Sequence, residues 1–162
     1  MYHPKQSEEK LNDLFNYLQE TKDEYEIGKI ETQIWEIWLD SGSPQLNVLM
    51  EKGAESVQKK EHTQAIEYFS QIITLNPDFA EGWNKRATAY FLRGDYKASL
   101  LDIEETLRLE PRHFGAISGM ISIYMVIHDL KGALKSYRLL QRIYPQKIDL
   151  AQQIKNLQER IS

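Results

Sequence analysis

The chain of 162 residues has no cysteine. Disulfides and thiolate metal centres are therefore excluded, and redox chemistry says nothing of the compartment. No apolar run approaches the roughly 20 residues that would cross a bilayer. The opening stretch, Met1–Ser7, is polar and has no signal-peptide core. Cations do not dominate: 20 Lys and Arg face 24 Asp and Glu, a net charge of −4, which argues against a nucleic-acid surface. Disorder is excluded by the abundance of Leu, Ile, Val and Phe. With 41% hydrophobic and 27% charged residues the balance is that of an ordinary soluble domain or short solenoid.

Catalytic constellations are missing as well. The four histidines, His3, His62, His113 and His128, are scattered, and none forms a zinc helix or an i, i+4 pair with another ligand. The eight glycines are isolated, so there is no phosphate-cradling loop. Asp102 and Glu105 read as a solvated face beside a Leu/Ile stripe. His113, preceding a helix, has no orienting partner legible in the sequence and is a poor general base. Gly115 and Gly119 form Gly-x-x-x-Gly, but the apolar stretch 117–127 is too short for a membrane pair, so close helix packing is the reading. No metal or cofactor is expected, nor enzymatic activity.

Proline is sparse, and its placement is informative. Three of the five prolines, Pro77, Pro111 and Pro145, are 34 residues apart. The same offset aligns Leu49, Trp83 and Ile117; Gly53, Ala87 and Ile121; Ser56, Tyr90 and Tyr124; Ala65, Ser99 and Ala133; and Phe69, Ile103 and Tyr137. A fixed period of this length marks a repeat architecture. Each unit reads as two helices. In the middle one Trp83, Ala87, Tyr90 and Phe91 make the first apolar stripe, and Leu100, Ile103, Leu107 and Leu109 the second. Between them Gly94 can turn left-handed. Pro111 stops the second helix and pushes Glu110 out of it. Ser43–Pro44 reads as a cap followed by a first helical residue. Asp78 with Glu81 reads as a capping box.

Units 46–79, 80–113 and 114–147 resemble tetratricopeptide repeats. Trp83, Ala87, Tyr90, Gly94-Asp95-Tyr96 and Pro111 occupy the family's places. Ser56, Ser99 and Ile121 depart from it in volume. The whole chain is similar to small bacterial tetratricopeptide proteins through residues 34–38, 80–88 and 111–115. The resemblance implies an all-α fold: a right-handed solenoid of antiparallel helix pairs. Residues 148–162 are expected to cap it with a helix bearing Ile148, Ala151, Ile154, Leu157 and Ile161. Residues 1–45 read as a divergent hairpin, helices about 8–20 and 22–40, the second capped by Thr21 and Glu24. Its Ile34–Trp38 cluster is expected to pack on the first repeat, with an exposed contact patch as the alternative. The location expected is the cytoplasm, or the periplasm if an export signal has been removed.

The resemblance also places side chains on the concave wall. From the first unit these are Met50 and Val57, with Asn47, Ala54 and Gln58. The second supplies Glu81, Asn84, Lys85, Thr88, Phe91 and Leu92, and the third Ser118, Ser122, Met125 and Val126, beside Gly115 and Gly119. Arg112 and His113 enter from the connecting turn. Asn84 and Thr88 can pair with a peptide backbone, and Met125 can adapt to varied side chains. The expected partner is therefore a protein or peptide with apolar anchors. The small residues serve helix packing equally well, and the C-terminal helix could fill the groove. Chaperone-binding relatives clamp a terminal carboxylate with Lys, Asn and Arg. Met50, Ala54, Gly115 and Gly119 stand on the corresponding faces here, leaving only Asn84 and Lys85. Charge is graded along the chain, from −6 over residues 1–45 to +4 over residues 114–162. The expected reading is an acidic head and a basic tail able to steer a partner or to support weak head-to-tail self-association.

Overall fold

The structure, a computed structural model, describes residues 4–162. His3 lies outside them. Nine helices and no strands are found among the described residues. They are α1 (Pro4–Glu20), α2 (Glu24–Leu39), α3 (Pro44–Gln58), α4 (His62–Leu75), α5 (Ala80–Arg93), α6 (Tyr96–Leu109), α7 (Phe114–Val126), α8 (Leu130–Ile143) and α9 (Leu150–Ile161). Helices α3 to α8 form three antiparallel pairs, one within each 34-residue period, and every pair stacks on the next. This is an all-α solenoid.

Local signals explain most boundaries. Ser43 caps α3 by accepting from Leu46 N–H, with Pro44 as first helical residue. Gly94 takes φ 89° between α5 and α6, a left-handed turn open to glycine without strain. Asp129 caps α8 by accepting from Gly132 N–H. Two expected caps are corrected. Asp23, not Thr21, caps α2 by accepting from Tyr25 and Glu26 N–H. Helix α5 starts after Phe79 without a side-chain cap, because Glu81 is drawn inward to another partner.

The repeats bury a ladder of apolar side chains. Leu46, Ala65, Ile66, Phe69, Ile72, Phe79 and Ala89 make one cluster, and Ala87, Ile103, Ala116 and Ile123 continue it. The departures in volume are absorbed locally. Ser99, buried, donates its hydroxyl to Ala87 C=O at 2.7 Å, and Ser56 donates to Lys52 C=O at 3.0 Å. Asp102 is not on a solvated face. It is buried and grips Arg86 through two bonds of 2.7 and 2.8 Å, joining α5 to α6.

The N-terminal hairpin is where structure and expectation part. Its apolar residues, Leu11, Leu14, Phe15, Leu18, Ile27, Ile30, Ile34 and Trp38, share one core with Phe114, Ile117, Ile121, Leu140, Ile143 and Tyr144. Those belong to the third repeat, not the first. Polar contacts tie the same faces: Gln19 Nε2 donates to Arg142 C=O at 2.9 Å, and Tyr144 Oη donates to Glu31 at 2.7 Å. After the hairpin the short linker 40–43 leads into α3, while α1 and α2 lie against α7 and α8, with α2 also reaching α5. In the Ile34–Trp38 cluster Ile34 and Trp38 are buried, Trp35 and Ile37 are half-buried against the same core, and Glu36 is exposed. Helix α9 packs on α8 through Leu150, Ile154 and Leu157. Ile148, expected on that stripe, precedes α9 and is exposed, and Ala151 lies within α9 but off its buried face.

Candidate functional site

The inner helices α3, α5 and α7 carry the residues expected on the concave wall, and the structure divides them into a covered part and an open part. The covered part lies at the start of α7. Trp35 stands against Gly115, where an added Cβ would lie 2.6 Å from the indole ring. Trp38 stacks on His113 with centroids 4.1 Å apart and planes inclined by 12°. Phe114 meets Trp35, Trp38 and Phe15. The groove is thus occupied at this end by the chain's own N-terminal hairpin, not by the C-terminal helix.

His113 is fully buried beneath that lid. Its Nδ1 accepts from Ala116 N–H at 3.1 Å and caps α7. The ring proton therefore sits on Nε2, which donates to Glu81 Oε2 at 2.7 Å. Glu81 is itself buried and also accepts from Asn84 Nδ2 at 3.1 Å, with Lys85 Nζ at 3.8 Å. The orienting partner that the sequence did not reveal is Glu81, 32 residues upstream. The group is a structural tie between the second and third repeats, sealed from solvent. Arg112 is likewise engaged: it pairs with Glu110 at 3.4 Å and lies over the Phe15 ring at 4.6 Å.

The open part lies between α5 and α7. A cavity of about 120 Å³ is lined by Asn84, Ala87, Thr88 and Phe91 of α5, Ser99 and Ile103 of α6, and Gly115, Gly119 and Ser122 of α7. Thr88 and Ser122 are exposed at its mouth. Gly119 leaves room, since a Cβ there would meet only Ile103, at 3.6 Å. Of the other expected residues, Met50 and Val57 are half-buried against the first-repeat cluster. Met125 packs against the core shared with the hairpin. Leu92 and Val126, one period apart, are about 45% exposed and do not line the cavity. Ser118 is half-buried and donates back to Phe114 C=O. The structure thus joins Asn84, Thr88, Phe91 and Ser122 in one concavity and sets Arg112 and His113 behind the lid.

No group of three or more His, Asp or Glu able to hold a metal ion occurs among the described residues. No described helix is long and apolar enough to cross a membrane.

Stacked antiparallel helix pairs at a constant period define a helical-repeat solenoid. The Tetratricopeptide repeat model matches residues 46–79. A TPR repeat-containing protein of Rhizobium etli is 36% identical over 159 residues, 98% of this chain and 76% of that protein. The chain belongs to the tetratricopeptide repeat family. A weaker match is the Hsp70-Hsp90 organizing protein of Triticum aestivum, 23% identical over 69% of this chain and 19% of its own length. Among solved structures, the first TPR of Spaghetti (RPAP3) bound to the HSP90 peptide SRMEEVD has a TM-score of 0.65 and 19% identity, covering 72% of this chain and 92% of that one. The Sgt2 TPR domain from Aspergillus fumigatus has a TM-score of 0.66 and 21% identity, covering 74% and 80%. At these identities the likeness is one of fold.

Proposed function

We propose that the protein is a non-catalytic protein-interaction module, an adaptor or assembly scaffold, whose groove receives a peptide segment with apolar anchors. The working division is a folded-back hairpin (1–45), three repeats (46–79, 80–113, 114–147) and a terminal helix (148–162). The observation that carries the reading is the cavity between α5 and α7. It combines an apolar wall, Phe91 and Ile103, with small residues at the mouth that let a backbone approach. One apolar side chain fits such a volume. Its burial contributes about 1.5–3 kcal/mol, and with further contacts on Leu92 and Val126 a complex of roughly micromolar affinity results.

Similar domains are seen with chaperone peptides, one of them the HSP90 peptide SRMEEVD. A carboxylate clamp of that kind finds little support in these side chains. Lys85 is drawn to buried Glu81, and Gly115 lies under Trp35. The buried His113–Glu81 pair has no access to a substrate, which speaks against acid–base chemistry at that pair.

Peptide display against the full chain tests the proposal. The selected peptides should carry a large apolar residue. They should lose about tenfold or more in affinity, as expected when an anchor worth about 1.4 kcal/mol or more is excluded, once Thr88→Arg and Ser122→Arg obstruct the mouth. Selected peptides that bind the double variant as well as the parent would place recognition elsewhere.

A further inference from the structure

Seven ion pairs of Lys or Arg with a carboxylate are formed among the described residues, and all lie between Glu26 and Arg112. The segment after His113 is the most basic part of the chain, with seven Lys and Arg against three acids, yet none of its cations is paired. Four of them, Lys131, Lys135, Arg138 and Arg142, stand on α8 at spacings of four, three and four residues, all exposed. That spacing places them along one helix face. They flank a cleft of about 520 Å³ whose apolar lining is Leu134 and Ile161, the latter contributed by α9. Among the described residues no acid pairs with these cations: Asp129 is used to cap α8, Asp149 and Glu159 form no ion pair, and the acidic hairpin that packs on the same repeat pairs only Glu26, with its own Lys29, while Glu31 accepts from Tyr144.

We propose that the cleft between α8 and α9 is a second docking site, separate from the groove, for an acidic protein segment with apolar residues among its carboxylates. Charge complementarity selects the occupant. Four uncompensated cations extend over residues 131–142 of the helix, about 16 Å, the length of three turns of a bound helix. Exposed like charges at i, i+4 repel mildly in the free protein, and an acidic partner relieves that repulsion. The apolar lining favours a protein over a polyanion, because a phosphate backbone has nothing to place against Leu134 and Ile161. No aromatic side chain lines the cleft on which a base could stack.

The test is fluorescence anisotropy on the full chain, using a labelled peptide of about twelve residues, three helical turns, built from Glu-Glu-Leu triplets. Oligoglutamate, a single-stranded oligonucleotide and phosphatidylserine vesicles serve as rival probes. The peptide is expected to bind more tightly than any rival and to weaken as salt rises. Lys135→Gln with Arg138→Gln should weaken it about tenfold by removing two central charges. Leu134→Ser should weaken it about threefold by removing apolar contact. Thr88→Arg with Ser122→Arg should leave it unchanged, which separates this site from the groove. Both Gln replacements are exposed and helix-compatible, and circular dichroism checks their fold. Absence of peptide binding, indifference to the Gln pair, or tighter binding of the oligonucleotide or vesicles overturns the proposal.

Discussion

Single residues explain how the repeat tolerates its departures from pattern. Gly53 stands one period before Ala87, where the family holds a small residue, and the Phe69 ring occupies the space a methyl group would need. Gly53→Ala should therefore destabilise by about 1–3 kcal/mol through overpacking. Gly28 faces open space on α2, so Gly28→Ala should stabilise by about 0.5–1 kcal/mol. Urea denaturation of the two variants checks the opposite signs. The sharper case is Asp102. With its side chain removed, Arg86 is left partly buried beside Ser70 and without its carboxylate. Asp102→Ala should cost about 3–5 kcal/mol, as for a broken buried pair, whereas the same change at exposed Glu104 should stay within about 0.5 kcal/mol. Neither Asp102–Arg86 nor His113–Glu81 was legible in the sequence. Arg86 and Asp102, 16 residues apart, meet only once α5 and α6 pair, and Glu81 and His113, 32 apart, only once α7 is set against α5; a local reading sees a carboxylate beside apolar neighbours and places it in solvent.

At the scale of elements, the helix pairs were readable because an apolar stripe and a closing proline recur in each, joined in the second by a glycine turn; Lys60 and His128 take the left-handed position in the first and third. The hairpin formed by α1 and α2 carried only the first of these. Its two helices were evident, but its docking face was not, since apolarity is non-directional and the Trp-rich stripe of α2 would suit any repeat. What selects the third repeat is complementarity beyond hydrophobicity. Gly115 makes room for Trp35, the His113 ring offers a stacking face to Trp38, and Tyr144 reaches Glu31. Trp38→Ala should cost about 3–5 kcal/mol, the range for emptying an aromatic core site, measurable as a fall in the urea midpoint. Trp83 is only half-buried, with its ring N–H on Pro77 C=O, so its removal should cost less. Burial first, and then the bond to Glu31, raise the Tyr144 pKa well above the usual tyrosine value of 10.0. The phenol then stays neutral in the folded state while the unfolded chain ionises. This contribution is complete below about pH 10 and declines as pH rises beyond it. Tyr144→Phe should lower stability by about 1–2 kcal/mol at pH 8. The gap to the parent should narrow by pH 11, as urea midpoints at the two values will show.

For the molecule as a whole, the fold-back changes what the charge gradient means. The acidic hairpin does not stand at the far end from the basic third repeat but rests on it. The field that would have promoted head-to-tail association is partly spent within one chain, and the cations left over gather along α8. The concave wall is correspondingly shorter than three repeats would provide. The open cavity lies between α5 and α7, with the hairpin standing at the start of α7. Periodicity could predict the groove but not its occupant, because the segment that fills it lies outside the repeat and obeys no register.

The most direct test of this account is an NOE spectrum of the full chain. Cross-peaks are expected between the Trp35 ring and Gly115 Hα, with His113 ring protons shifted upfield by stacking on Trp38. A spectrum linking the Trp35 and Trp38 rings to α3 or α4, with none to α7, would contradict it.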